Sequence, residues 1–411
     1  METLQPKLRF PEFKGDWERK SLRDITSLVT KGTTPKFFTE SGINFIKIEC
    51  LNGHNIDTSK CLFIDETTHN KELKRSILKE DDLLFAIAGA TIGKCTIVDK
   101  SILPANTNQA LSIIRLNNNE NKNYIFQILT SESMKKYIID NISVGAQPNL
   151  NLEQINSFSF SYPTLPEQTR IANFLAAVDE KLNLLKEKKE ALETYKKGIM
   201  QQIFNQGIRF KDENGNDFED WVELKLEDVV NNISTGLNPR DNFKLGSGEN
   251  FYVTIKNISN GKLKFNSCEK IDNTALKLIN KRSGLQLNDI IMSSIGNVGE
   301  SYLVSSEPFN WDINESVFCI RANDRINPQF LYYVVTNDET EQYFDGNITG
   351  SSFKSIKMKE LKLTPIKLPS IEEQTKIANF LLAIDEKIEL VSNQIQDTQA
   401  YKKGLLQQMF V

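Results

Sequence analysis

Two stretches of the chain carry apolar residues at a sustained step of seven. In the first the step runs through Ile171, Val178, Leu185, Leu192 and Ile199, widened by Phe174, Leu175, Leu182, Tyr195 and Ile203. In the second it runs through Ile377, Ile384, Val391, Thr398 and Leu405, widened by Phe380, Leu381, Ile388, Ile395, Tyr401 and Met409. Each stretch opens with a hydroxyl residue three positions before a glutamate, Thr164 with Glu167 and Ser370 with Glu373, which predicts a capping box. The spacing therefore predicts two long helices, over 164–205 and 370–411, each roughly 60 Å at 1.5 Å per residue. A seven-residue step is the signature of a coiled-coil seam rather than of a helix lying flat on a sheet, and the opposite faces ("KEKKEALE") are charged. The simplest partner for each helix is the other one, antiparallel about a pseudo-two-fold axis. A coiled coil between two chains is the less economical alternative.

Residues 1–163 and 206–369 have a different periodicity. Short runs such as "INFIKIE", "DLLFAIAG", "KCTIVD" and "ALSIIRL" alternate with turn-formers, as do "NFYVTIKNI", "DIIMSSIG", "ESYLVS" and "SVFCIRA". Helices are expected at "NYIFQILTSESMKKYI" and "PQFLYYVVTNDETEQYF". The fold class is α+β: two similar globular domains separated by two long antiparallel coiled-coil helices.

The two halves repeat one another. "EQTRIANFLAAVDEK" from Glu167 and "EQTKIANFLLAIDEK" from Glu373 share twelve of fifteen residues at an offset of 206. The same offset relates "YKKGIMQQIF" to "YKKGLLQQMF", "NTNQA" to "DINES", and the turns at Gly93 and Gly299. A tandem duplication of about 200 residues, each a variable domain with a near-identical tail, accounts for this.

Composition narrows the function classes. With 39% hydrophobic and 25% charged residues the 411-residue chain is of ordinary globular type and long enough for two cores. No apolar run reaches the length of a membrane span, and the start lacks the apolar stretch of a signal peptide. Five dispersed cysteines without a CxxC pair predict reduced thiols and a cytoplasmic location. A net charge of −4 argues against electrostatic coating of nucleic acid but leaves local patches open. His54 and His69 have no counterparts in the second half, so histidine chemistry is not expected to be a shared function.

Catalytic signatures are missing. "GATIGK" (Gly89 to Lys94) is one residue short of a P-loop, with Cys95 where Ser or Thr should hold magnesium, and its counterpart "IGNVGE" loses the lysine. Both are expected to be tight turns, with phosphate cradling the second choice. The Glu18–Lys20 triplet resembles a nuclease ExK but has no paired acidic residue upstream at a suitable distance. No metal-ligand set is found. What remains are polar, glycine-punctuated loops carrying a cation, whose residue types suit phosphate and base-edge contacts. In the first domain the candidates are Lys31, Thr33, Thr34, Lys36, Thr91, Lys94, Gln147 and Asn149; in the second, Thr235, Asn238, Arg240, Ser294, Asn297, Ser352 and Lys354.

A variable domain leading into a repeated "LPEQ…IANFL…D…K" helix resembles the specificity subunit of a type I restriction–modification enzyme. "TLPEQTRIANFLAAVDEK" and "SIEEQTKIANFLLAIDEK" match that family's helix start, although Glu372 replaces its usual proline. Asn108–Gln109–Ala110 and "TGSSF" also fit, and the resemblance covers essentially the whole chain. It implies two target-recognition domains, each reading half of a bipartite, asymmetric DNA sequence. It implies helices that space the half-sites and dock two methyltransferase subunits and, through them, the motor-nuclease subunits. S-adenosylmethionine, ATP and magnesium are expected on those partners and no cofactor on this chain, which would be non-catalytic. The alternatives are a stand-alone nuclease or methyltransferase with unfamiliar motifs, or a two-domain protein-binding scaffold.

Overall fold

A computed structural model describes residues 5–142, 148–350 and 354–410. The chain divides into two compact units, Met1–Glu187 with Asn393–Val411, and Lys188–Ser392. The boundary cuts both long helices, so each unit combines one domain with part of each helix.

The unit containing the first domain is built on a four-stranded antiparallel sheet in the order Thr26–Lys31, Leu111–Leu116, Leu83–Ala86, Cys95–Ile97. Beside it lies a three-stranded sheet in the order Leu62–Ile64, Ile43–Ile46, Ala105–Thr107, the first pair antiparallel and the second parallel. The other unit repeats both sheets. Its four strands are Val230–Thr235, Val317–Ala322, Ile290–Ser293 and Ser301–Leu303, and its three are Glu269–Ile271, Asn250–Val253 and Trp311–Ile313. The central strands read as unbroken apolar runs because both faces are covered. Leu83 and Phe85 join the core under the helices, whereas Leu84 and Ala86 join the core shared with the small sheet.

Each expected short helix proves to be two. Ser131 accepts from the Met134 amide and starts Glu132–Asn141 immediately after Lys122–Leu129; Asn337 does the same for Asp338–Asn347 after Pro328–Val335. A helix that the repeat does not share, Asn273–Ser283, occupies the place of two short turns (Thr68–Glu72, Lys74–Ser76) in the first domain.

The long helices span Leu165–Phe204 and Ile371–Met409. In the first unit the start of one helix runs beside the end of the other, tied by Lys402 Nζ to Asp179 Oδ1 at 2.6 Å. In the second unit the roles are exchanged, and Lys196 Nζ meets Asp385 Oδ1 at 2.6 Å. These ties are 206-residue equivalents of each other. Burial would raise the Asp179 carboxyl, but bonds from His54 and Lys402 outweigh it and hold it at about 2.

The apolar stripe is more than a coiled-coil seam. Ile171, Leu175 and Val178 are part of the first domain's core together with Leu405, Met409 and Phe410 from the other helix; Ile377, Leu381, Ile384, Ile203 and Phe204 do the same in the second unit. Val391 is also buried, while Phe174, Leu182, Leu185, Leu192, Ile199, Phe380 and Ile388 are half-buried. Tyr195 and Tyr401 depart from the expectation, being 53% and 54% exposed. The seam position next to each is filled by the half-buried Lys196 or Lys402, which turns the tyrosine to its flank.

The capping boxes are also corrected. Ser370 Oγ accepts from the Glu373 amide at 3.3 Å, but the glutamates do not reach back. Glu167, 1% exposed, is held by Arg9 through Nε and Nη2 at 2.7 and 2.9 Å. Glu373, fully buried, is held by Arg209 at 3.2 and 2.8 Å and by Trp221 Nε1 at 3.0 Å. A bidentate guanidinium is the stronger claim on a carboxylate that burial has stripped of water.

Candidate nucleic-acid interface

In an antiparallel sheet, alternate strands begin and end at the same edge. Lys31 and Ala86 end their strands where Leu111 and Cys95 begin theirs, so the loops after Lys31, between Ala86 and Cys95, and before Leu111 gather at one end of the sheet. Hydrogen bonds fix the cluster. The Gly32 amide donates to Leu111 O and the Thr33 amide to Thr107 O, at 3.2 and 3.0 Å. Ile87 N donates to Ala110 O, and Gly89 N to Pro148 O. In the second domain Gly236 N donates to Asn314 O, Ser294 N to Ser316 O, and Gly296 N to Lys354 O. The described parts of the candidate loops of each domain, far apart in sequence, thus meet at one end of the sheet.

A short motif aligns the leading loops: Gly32-Thr-Thr-Pro35-Lys36 and Gly236-Leu-Asn-Pro239-Arg240. The glycine is required by close approach. A Cβ on Gly236 would lie 1.6 Å from Ile313 O, and one on Gly32 would lie 2.1 Å from Thr107 O. This repeat, at an offset of 204, is the sequence signal that pairs Lys36 with Arg240. The Gly89–Lys94 stretch is a tight turn, as expected, with Gly89 and Gly93 at φ +81° and +92°.

Placement of the candidates divides them. Lys31, Thr33, Thr34, Lys36, Lys94, Asn149, Arg240, Asn297 and Lys354 are exposed. Thr91, Thr235 and Asn238 are half-buried. Ser294 departs from the expectation: it is 7% exposed and its hydroxyl is spent on Ser316 O at 2.7 Å, bracing the loop from behind. Gln147 and Ser352 lie outside the described residues. Gln109, exposed and bonded to the Thr34 hydroxyl, belongs to this surface and was not among the sequence candidates.

Among the described residues, Lys31, Lys36, Lys94, Arg240 and Lys354 form no ion pair, whereas the lysines and arginines along the long helices include several paired ones. Exposed cations at these loop positions are of the kind that suits contact with phosphate. No group of three His, Cys, Asp or Glu side chains among the described residues could hold a metal ion, and no described helix is long and apolar enough to cross a membrane.

Comparison with known proteins agrees with this duplicated design. A family profile, the type I restriction modification DNA specificity domain, matches residues 14–194 and again 218–398. A putative type I restriction enzyme MjaX specificity subunit of Methanocaldococcus jannaschii is 27% identical over 97% of this chain and 94% of that protein. The MjaVIII specificity subunit of the same organism is 24% identical over 97% and 92%. Among solved structures, the S subunit of a type I restriction-modification system from M. genitalium superposes with a TM-score of 0.59 at 15% identity, covering 99% of both chains, which speaks for the fold. The chain therefore belongs to the type I restriction modification DNA specificity family, carrying its domain twice, and is a specificity subunit.

Proposed function

We propose that this non-catalytic subunit reads a DNA target in two unequal halves, one with the loop surface of each domain. The observation that carries this is the duplicated surface itself: equivalent loops at the same sheet end, with one exposed cation matched between the domains, Lys36 and Arg240, and different residues around it. The frame is kept and the reading residues differ, which suits an asymmetric bipartite sequence. The long helices act as the spacer between half-sites. They also dock two methyltransferase subunits, through which the motor-nuclease subunits join. S-adenosylmethionine, ATP and magnesium belong to those partners, and the assembly works in the cytoplasm on double-stranded DNA.

Exchanging residues 206–369 for the corresponding domain of another specificity subunit tests the reading. Methylome mapping of cells carrying the chimaera should show one half-site replaced and the other retained. Inserting four residues in a helix adds about 6 Å and should lengthen the spacer with both half-sites unchanged. A changed sequence in both halves after the domain exchange, or methylation of DNA by the purified chain alone, overturns the proposal.

A further inference from the structure

Phe37 follows Lys36 at the tip of the first domain's leading loop and is 81% exposed. The loop around it is pinned. Gly32 and Thr33 are bonded to Leu111 O and Thr107 O on one side, and the Thr39 amide donates to Phe63 O at 2.9 Å on the other. The next residue, Phe38, is 44% exposed but packs edge-on against the buried Phe45, with ring centroids 5.3 Å apart. Pro35 is buried. Phe37 is therefore a large apolar ring held out in water on a rigid base, between the unpaired cation Lys36 and the anchor Phe38.

The fold does not require it. Aligning Gly32-x-x-Pro35-Lys36 with Gly236-x-x-Pro239-Arg240 places Asp241, also exposed, at the equivalent position of the second domain. One frame accepts a phenyl ring or a carboxylate there, so the choice is free to serve recognition. A carboxylate can accept from the cytosine amino group, whereas a ring can only make apolar contact, with a thymine methyl or with a base face at an opened step.

Resting on the loop surfaces being the reading surfaces, we infer that Phe37 is a specificity-determining residue, making an apolar contact with a base of the half-site read by the first domain. It differs in kind from Lys36, whose contact is with phosphate. The two are separable because counterion release follows charge alone.

The test uses the reconstituted complex with the methyltransferase subunits on a duplex carrying the mapped target, with binding measured across a range of salt concentrations. Phe37→Ala should weaken specific binding about tenfold or more, leave non-specific binding unchanged, and keep the slope of log K against log salt. Lys36→Ala should weaken specific and non-specific binding alike and reduce that slope by about one. Two arms distinguish the mode, and either supports the inference. Thymine-to-uracil replacement in the first half-site weakens the unsubstituted protein but not Phe37→Ala if a methyl is read. 2-Aminopurine in the half-site brightens with the unsubstituted protein only if a step is opened. Unchanged specific affinity of Phe37→Ala beside a weakened Lys36→Ala overturns this inference and leaves the loop reading intact. No effect of either substitution overturns both. Loss of complex assembly by Phe37→Ala marks a protein contact instead and also overturns it.

Discussion

Asp312 provides a quantitative check on the second domain. Its carboxyl is fully buried in the middle of the parallel strand Trp311–Ile313. Burial pushes it up to about 6 from an ordinary 3.8, only partly offset by bonds from the Ile313 amide and the Ser283 hydroxyl. The 206-residue equivalent is Asn106, whose Nδ2 donates to Ser76 Oγ and Leu73 O at 3.2 and 3.0 Å. Ser283 Oγ also lies 3.3 Å from Ile279 O, so it can donate there and accept from an amide, as Ser76 does in the first domain through Leu73 O. Asp312→Asn therefore fits the site. The sign follows from the direction of the shift. A raised folded-state value means that the contribution of the protonated acid is intact below about 4 and lost as pH rises through about 6. At pH 7 a gap of about two units amounts to about 3 kcal/mol. Asp312→Asn should raise the melting temperature of this unit of about 200 residues by roughly 5–10 °C at pH 7.5 and give no such gain at pH 4. Tryptophan fluorescence reports the transition, since Trp311 is the neighbouring residue and 5% exposed. An equal shift at both pH values, or destabilisation at pH 7.5, refutes the reasoning.

Other perturbations test the remaining construction. Arg209→Met leaves Glu373 buried without its guanidinium and should cost about 3–5 kcal/mol in urea unfolding, with Glu373→Leu in the same chain recovering much of it. Gly236→Ala forces a Cβ into Ile313 O and should destabilise by about 1–3 kcal/mol, with loss of binding confined to one half-site in the methylation map. Arg240→Ala should lower the salt slope of DNA binding by about one while sparing the half-site read by the first domain.

The sequence carried the frame well because its signals are periodic. Seven-step spacing located both helices, and doubly buried strands appeared as apolar runs. The break at Ser131 was hidden because a capping serine can also sit inside a helix. The Asn273–Ser283 helix has no cue in the repeat, because its counterpart is only a pair of turns. Glu167 and Glu373 were assigned to caps because local spacing cannot reveal an arginine 158 or 164 residues away. The gathering of the three loops follows from strand pairing, which no single segment encodes; the Gly-x-x-Pro-Lys/Arg repeat was the legible trace of it. Ser294 and Tyr195 were misplaced because a residue's type does not tell which side of its backbone faces water.

The division of the chain across both long helices also bears on biosynthesis. The unit Lys188–Ser392 is contiguous and has all its residues once Ser392 has left the ribosome. The first domain, although synthesised first, must wait for Leu405, Met409 and Phe410, which close its core. Until then its core has an open apolar face, so a chain cut short before Leu405 leaves the first domain incomplete although all of that domain's own strands are present.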